Sequence, residues 1–179
     1  MLADQFVFRL SLAAPSLERL AAVGIVGDEA AEILRSFNCI PREGLRKPTI
    51  EMDELIRLVE QWDSTAVEIG MLRFSGGSKQ TSMGVQVGLI EADPLVVRSD
   101  GHVIVYELGM EEHVLWLVAN SGAQLLDAVL IAAVALNERL FVDESIDRGE
   151  GVRRIAAQCS EAAGGAQFKD FFEMLLGAD

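Results

Sequence analysis

The chain has 179 residues, 50% of them hydrophobic and 24% charged, which are the proportions of a folded protein rather than a disordered one. Its net charge is −13, and residues 1–48 hold six acids and six bases, so the whole excess lies beyond residue 48. Such a surface repels phosphate backbones, which argues against direct nucleic-acid binding, and it draws in a basic protein; plain solubility is the blander account of the same charge.

In chain order, the first third reads as helical. Pro15 suits a helical first turn and Gly24 an end, with Leu17, Leu20 and Val23 on one side. Asp28 is a candidate N-cap for the next helix, whose apolar stripe is Ile33, Leu34 and Phe37. A polar loop over 41–48, bracketed by Pro41 and Pro48, carries Arg42, Arg46 and Lys47 as a local positive patch. Thr49 is the expected cap of a third helix, with Glu51, Asp53 and Glu54 near its positive end. Met52, Leu55, Ile56, Val59 and Trp62 share one face of it, Trp62 as a core anchor.

From Ala66 the period changes to alternation. A strand is expected over 66–74, a turn at Ser75-Gly76-Gly77-Ser78, and a second strand over 83–89, broken by Asp93-Pro94. Further strands follow at 95–98, 102–108 and 113–119, with Asp100-Gly101 as a hairpin turn and residues 109–112 as a second connection. Short turns between successive strands predict an antiparallel sheet. Ser121-Gly122-Ala123-Gln124 fits a capping box, opening a helix that is apolar on most faces and is expected to be the central one. An acidic link (Asp143, Glu144, Asp147) leads to a helix with Val152, Ile155, Ala156 and Cys159 inward and Gly164-Gly165 at its end. A last helix carries Phe168, Phe171, Phe172 and Leu175. The expected architecture is one α+β domain over 1–179: a helical part (1–63), a mainly antiparallel sheet (66–119) and helices packed against it (121–177).

Chemistry-bearing patterns are sparse. Cys39 and Cys159 are too few for a disulfide scaffold and lack metal-site spacing; Cys159 reads as a buried thiol, and Cys39 has no basic neighbour to activate it. The run Ser75-Gly76-Gly77-Ser78-Lys79 lacks the phosphate-loop spacing, and a strand rather than a helix follows. His102 and His113 start adjacent strands and could meet, with Glu111 or Glu112, around a metal; ordinary strand histidines are the reading preferred here. The acid pairs Asp28/Glu29, Glu111/Glu112 and Asp143/Glu144 read as solvated surface, since acid–base work needs carboxyls in contrasting environments. No catalytic residue, cofactor or metal is therefore assigned. The N-terminus lacks a basic start and an apolar core, and the longest apolar run, 128–136, is too short to span a bilayer, so a cytoplasmic protein is expected.

One region resembles a known family. A turn and strand over 100–108 precede a strand over 114–121 that ends in Ala119-Asn120-Ser121, and the apolar helix Leu125-Leu126-Asp127-Ala128-Val129-Leu130 follows. This order is similar to the signature of the SUKH superfamily of bacterial immunity proteins, with 29–42 matching that family's N-terminal helical part. A leucine-proline entry motif is not evident, and Leu125 or Leu126 stands where the family carries an aromatic. The resemblance implies a compact α+β domain that neutralises a cognate toxin, often a nuclease, without a catalytic set. The acidic residues expected to face a basic partner are Glu107, Glu111, Glu112, Asp143, Glu144 and Asp147, and a monomer or a homodimer would serve equally. Two other readings stand beside it: a secretion-type chaperone that clasps an effector segment in an apolar groove, and an enzyme whose site is assembled from dispersed residues.

Overall fold

The computed structural model describes residues 1–43, 52–142 and 148–177, and within them the protein is α+β. Helix α1 (Ala3–Leu12) buries Ala3, Phe6, Val7 and Leu10, the three- and four-residue spacing of one helical face. Sequence reading began its first helix at Pro15; that helix, α2 (Leu17–Ala22), is instead capped by Ser16, whose hydroxyl accepts the Arg19 N–H at 3.1 Å. Helix α3 (Gly27–Arg35) has Val26 at its cap, so Asp28 lies in the first turn instead of before it. Strand β1 (Ile40–Pro41) pairs with β2 (Trp62–Asp63), which places Pro41 in a strand and leaves Trp62 half-buried against the core.

Helix α4 (Glu54–Gln61) is capped by Asp53, not Thr49, which lies outside the described residues. The Asp53 carboxylate does this twice. One oxygen accepts the Leu55 N–H at 2.8 Å and the other the Gly122 N–H at 3.0 Å, so a single side chain ties the starts of α4 and α5 (Gly122–Arg139) together. A β-carbon at Gly122 would overlap that carboxylate, which explains why glycine follows Ser121. Ser121 caps α5 as expected, accepting the Gln124 N–H at 3.3 Å; the Gln124 carboxamide, however, accepts from the Ser121 hydroxyl rather than from its backbone.

The sheet is a meander in which each strand pairs antiparallel with the next: β3 (Glu68–Ile69), β4 (Leu72–Gln80), β5 (Val85–Ile90), β6 (Asp93–Val97), β7 (Val103–Glu107) and β8 (Met110–Ala119). Two turns fall where alternation did not put them. Gly70, at φ +58°, turns the chain after β3, and a side chain there would meet the Leu175 carbonyl, so the position calls for glycine. The run 75–78 is consequently strand, with a register shift between Phe74 and Lys79, and the reversal comes at 81–84, where the Thr81 N–H reaches the Gly84 carbonyl at 2.8 Å. Pro94 sits one residue inside β6 and does not break it. The Asp100-Gly101 turn is present, with Gly101 at φ +87°.

Strands β6 and β7 are buried on both faces. Leu95, Val97, Val103 and Val105 join the main core, while Val96, Ile104 and Tyr106 form a smaller cluster with Met83 and Val114. Against the main face pack α5, then α6 (Arg148–Ala163), a 3-10 turn (Ala166–Phe168) and α7 (Lys169–Leu175). Phe171 meets Trp116 and Phe172 edge-on, at centroid distances of 6.2 and 5.0 Å. Cys39 and Cys159 are buried free thiols whose pKa burial pushes up to about 12, with the Asp63 carboxylate adding to the effect at Cys39.

Candidate interaction surface

The meander sorts its turns by parity. Those after β3, β5 and β7 lie at one end of the sheet: the Glu91 N–H reaches the Met71 carbonyl at 3.0 Å, and Asp93 accepts the Leu108 N–H at 2.9 Å. Three connections, at 70–71, 91–92 and 108–109, thus converge on one rim. That rim carries Glu68, Glu91, Asp93, Glu107 and Glu112; Arg73 pairs with Glu68 at 2.8 Å, and the His113 ring lies beside Glu107. Glu111 also lies here, in β8. The hairpin between β7 and β8 projects Leu108 and Met110, 63% and 56% exposed, among these acids. Two large apolar side chains are thus left in water beside carboxylates.

A bulge shapes this tip. Met110 pairs with Glu107 but Val114 with Tyr106, so residues 111–113 are extra on β8. The bulge turns His113 back to Glu107, where its Nδ1 lies 2.7 Å from a carboxylate oxygen. Of the six acids expected at a partner surface, the structure brings Glu107, Glu111 and Glu112 to this hairpin; Asp143, Glu144 and Asp147 lie outside the described residues. Sequence reading overlooked Glu91 and Asp93, which only the strand pairing delivers to the rim, and overlooked Leu108 and Met110, which alternation assigns to strand and turn with no sign of exposure.

The chemical alternatives fare differently. His102 and His113 stand at opposite ends of the antiparallel β7–β8 pair and do not meet; His102 lies 3.3 Å from Asp100 instead. Among the described residues no three His, Cys, Asp or Glu side chains are grouped as metal ligands. The Ser75–Lys79 run is taken up within β4, and Glu60 accepts from the Ser78 side chain and from the Ser78 N–H, the latter at 2.8 Å, which together hold that carboxyl below its ordinary range. A backbone donor already given to a carboxylate is no phosphate cradle.

A groove of about 920 Å³ between α5 and α6 is floored by Ile131, Val134, Leu140 and Ile155 and edged by Arg9 and Arg154. Glu138, the acid among the described residues that line it, is held by two hydrogen bonds from Arg19 at 2.8 and 2.6 Å, which depress its pKa. A carboxylate locked in its charged form is a poor proton carrier near neutrality. No described helix is long and apolar enough to cross a membrane. No protein-family model matches this chain, and neither does any curated protein or solved structure.

Proposed function

We propose that this chain is a non-enzymatic binding protein of the immunity type, which neutralises a basic toxin by covering it with the acidic rim of its sheet. The observation that carries the reading is the convergence of three connections into one rim with Leu108 and Met110 exposed among carboxylates. Charge of one sign around an apolar centre steers a basic partner in and then gives it area to bury. The hairpin and helix that make up the SUKH-like run are β7, β8 and α5, and the rim is built on that hairpin.

The test is a neutralisation and binding assay with the toxin encoded beside this chain. Excess protein should abolish toxicity, and binding should weaken as salt rises. Undiminished toxicity with excess protein would remove that toxin as the partner. A chaperone-like reading draws on the α5–α6 groove, which could accept an extended segment; it predicts tight binding to an unfolded effector stretch in place of a folded toxin.

A further inference from the structure

We infer that Met110 is an oxidation site: a peroxide converts its thioether to the sulfoxide and so releases the partner held at the rim. The site stands on exposure and packing alone. Its effect on binding rests on the toxin-binding reading.

The sulfur atoms of this chain are unequally guarded. All six methionines and both cysteines lie among the described residues. Met110 is the one exposed methionine, at 56%. Met1, Met71 and Met174 are half-buried against the main core and Met83 against the smaller cluster, while Met52 is half-buried ahead of α4. Cys39 and Cys159 are 5% and 0% exposed. A thiol reacts with peroxide as its thiolate, and burial that pushes both pKa values up to about 12 leaves almost no thiolate near neutrality. A thioether has no proton to lose, so its reactivity follows access. Peroxide that meets the folded protein therefore finds Met110 first.

The place of Met110 gives the oxidation a consequence. It opens β8 and pairs with Glu107 across the β7–β8 hairpin, so it stands at the tip of the rim with Leu108. It belongs to neither hydrophobic cluster, and the hairpin is held independently of it by the Leu108 N–H on Asp93 at 2.9 Å. Changing the sulfur thus alters what the tip offers and leaves the fold intact. The step transfers one oxygen atom. The sulfur lone pair attacks a peroxide oxygen, an S–O bond forms and the O–O bond breaks. The departing oxygen keeps that electron pair and leaves as water with the proton of the transferred oxygen, so sulfur is oxidised by two electrons and the peroxide reduced.

The product carries a strong acceptor where an apolar group stood. The neighbouring Glu107 and Glu112 are carboxylates, which accept and do not donate. The Leu108 N–H is already given to Asp93, and the His113 ring is turned to Glu107 at 2.7 Å. A contact that buries Met110 then has to bury a sulfoxide oxygen that its own hairpin does not satisfy.

The test has two arms. In the first, folded protein is treated with graded hydrogen peroxide, and each methionine is followed by peptide mass spectrometry. Met110 should gain one oxygen severalfold faster than any of the other five, with both cysteines still reduced and the circular dichroism unchanged. Another methionine or a cysteine oxidised ahead of Met110 would overturn the site. In the second, after the peroxide is removed, the proposed toxin partner is titrated with oxidised and untreated wild type, with Met110→Leu treated and untreated, and with Met110→Gln. Oxidation should weaken wild-type binding about tenfold. Met110→Leu, similar in volume and without sulfur at this position, should bind like the untreated wild type and be indifferent to peroxide. Met110→Gln should bind as weakly as the oxidised protein. Equal binding by oxidised and untreated wild type, or loss of binding in peroxide-treated Met110→Leu, would overturn the release. A toxin bound by neither form removes the reading of the rim, and the release with it, while the mass map still decides the site.

Discussion

The two ends of this molecule solve the problem of exposed apolar surface in opposite ways. At the sheet rim, Leu108 and Met110 stand among carboxylates, and the acids come from turns scattered along the sequence. On the helical side, Phe8 and Leu12 stand beside an apolar groove edged by arginine, and both belong to one local run of α1. A rim of one sign repels its own copy and attracts a basic stranger, whereas the helical side mixes apolar residues with charges of both signs. Charge layout, more than hydrophobic area, separates the two surfaces.

Substitutions in the shared scaffold should disturb both surfaces, and surface ones should divide them. The largest effect is expected for Phe171→Ala, which removes a ring 1% exposed that bridges Trp116 on β8 and Phe172 on α7. A loss of about 3–5 kcal/mol, read from urea unfolding, should also silence the proposed partner binding. Gly122→Ala comes next. Its methyl displaces the Asp53 carboxylate from two helix starts, and a loss of about 2–4 kcal/mol is expected by the same measurement.

Alkaline pH probes the interior that both surfaces share. Cys39 and Cys159 have folded pKa values raised to about 12 by burial. The folded protein holds protons that the unfolded chain releases, so their contribution is complete below the unfolded thiol pKa of about 8.5 and is lost as pH rises toward 12. The urea midpoint should therefore fall between neutral pH and pH near 10, and it should fall less in a Cys39→Ala/Cys159→Ala variant. A thiol reagent should reach neither cysteine until the protein unfolds. The smallest stability effect is expected at the rim: Glu107→Lys and Glu112→Lys should stay within about 0.5 kcal/mol of the wild type while altering what the protein binds.

The class of the fold was legible in the sequence, because the switch from four-residue to two-residue spacing near Ala66 marks the passage from helices to sheet. The Ser121 cap and the Asp100-Gly101 turn were legible too, since each depends on neighbours in sequence. Other features depend on distant residues. Position 70 admits only glycine because Leu175 stands over it, and Asp53 rather than Thr49 starts α4 while also holding Gly122. The rim is the same case. Glu107 and Glu112 could be guessed from their hairpin, but Glu91 and Asp93 reach them only through strand register. The helical pair is local and could have been found, had the spacing of Phe6, Val7 and Leu10 identified α1 and left Phe8 and Leu12 on its far side.

The central claim, that the acidic rim recognises a basic partner and the helical side does not, meets its most direct test in one titration. The proposed toxin partner is titrated with wild type, with Glu107→Lys/Glu112→Lys and with Phe8→Lys, at low and high salt. Binding should weaken about tenfold or more for the rim variant, weaken with salt for the wild type, and be unchanged by Phe8→Lys. Toxin affinity that ignores both rim reversal and salt, or that is lost with Phe8→Lys, would contradict this division of the surface.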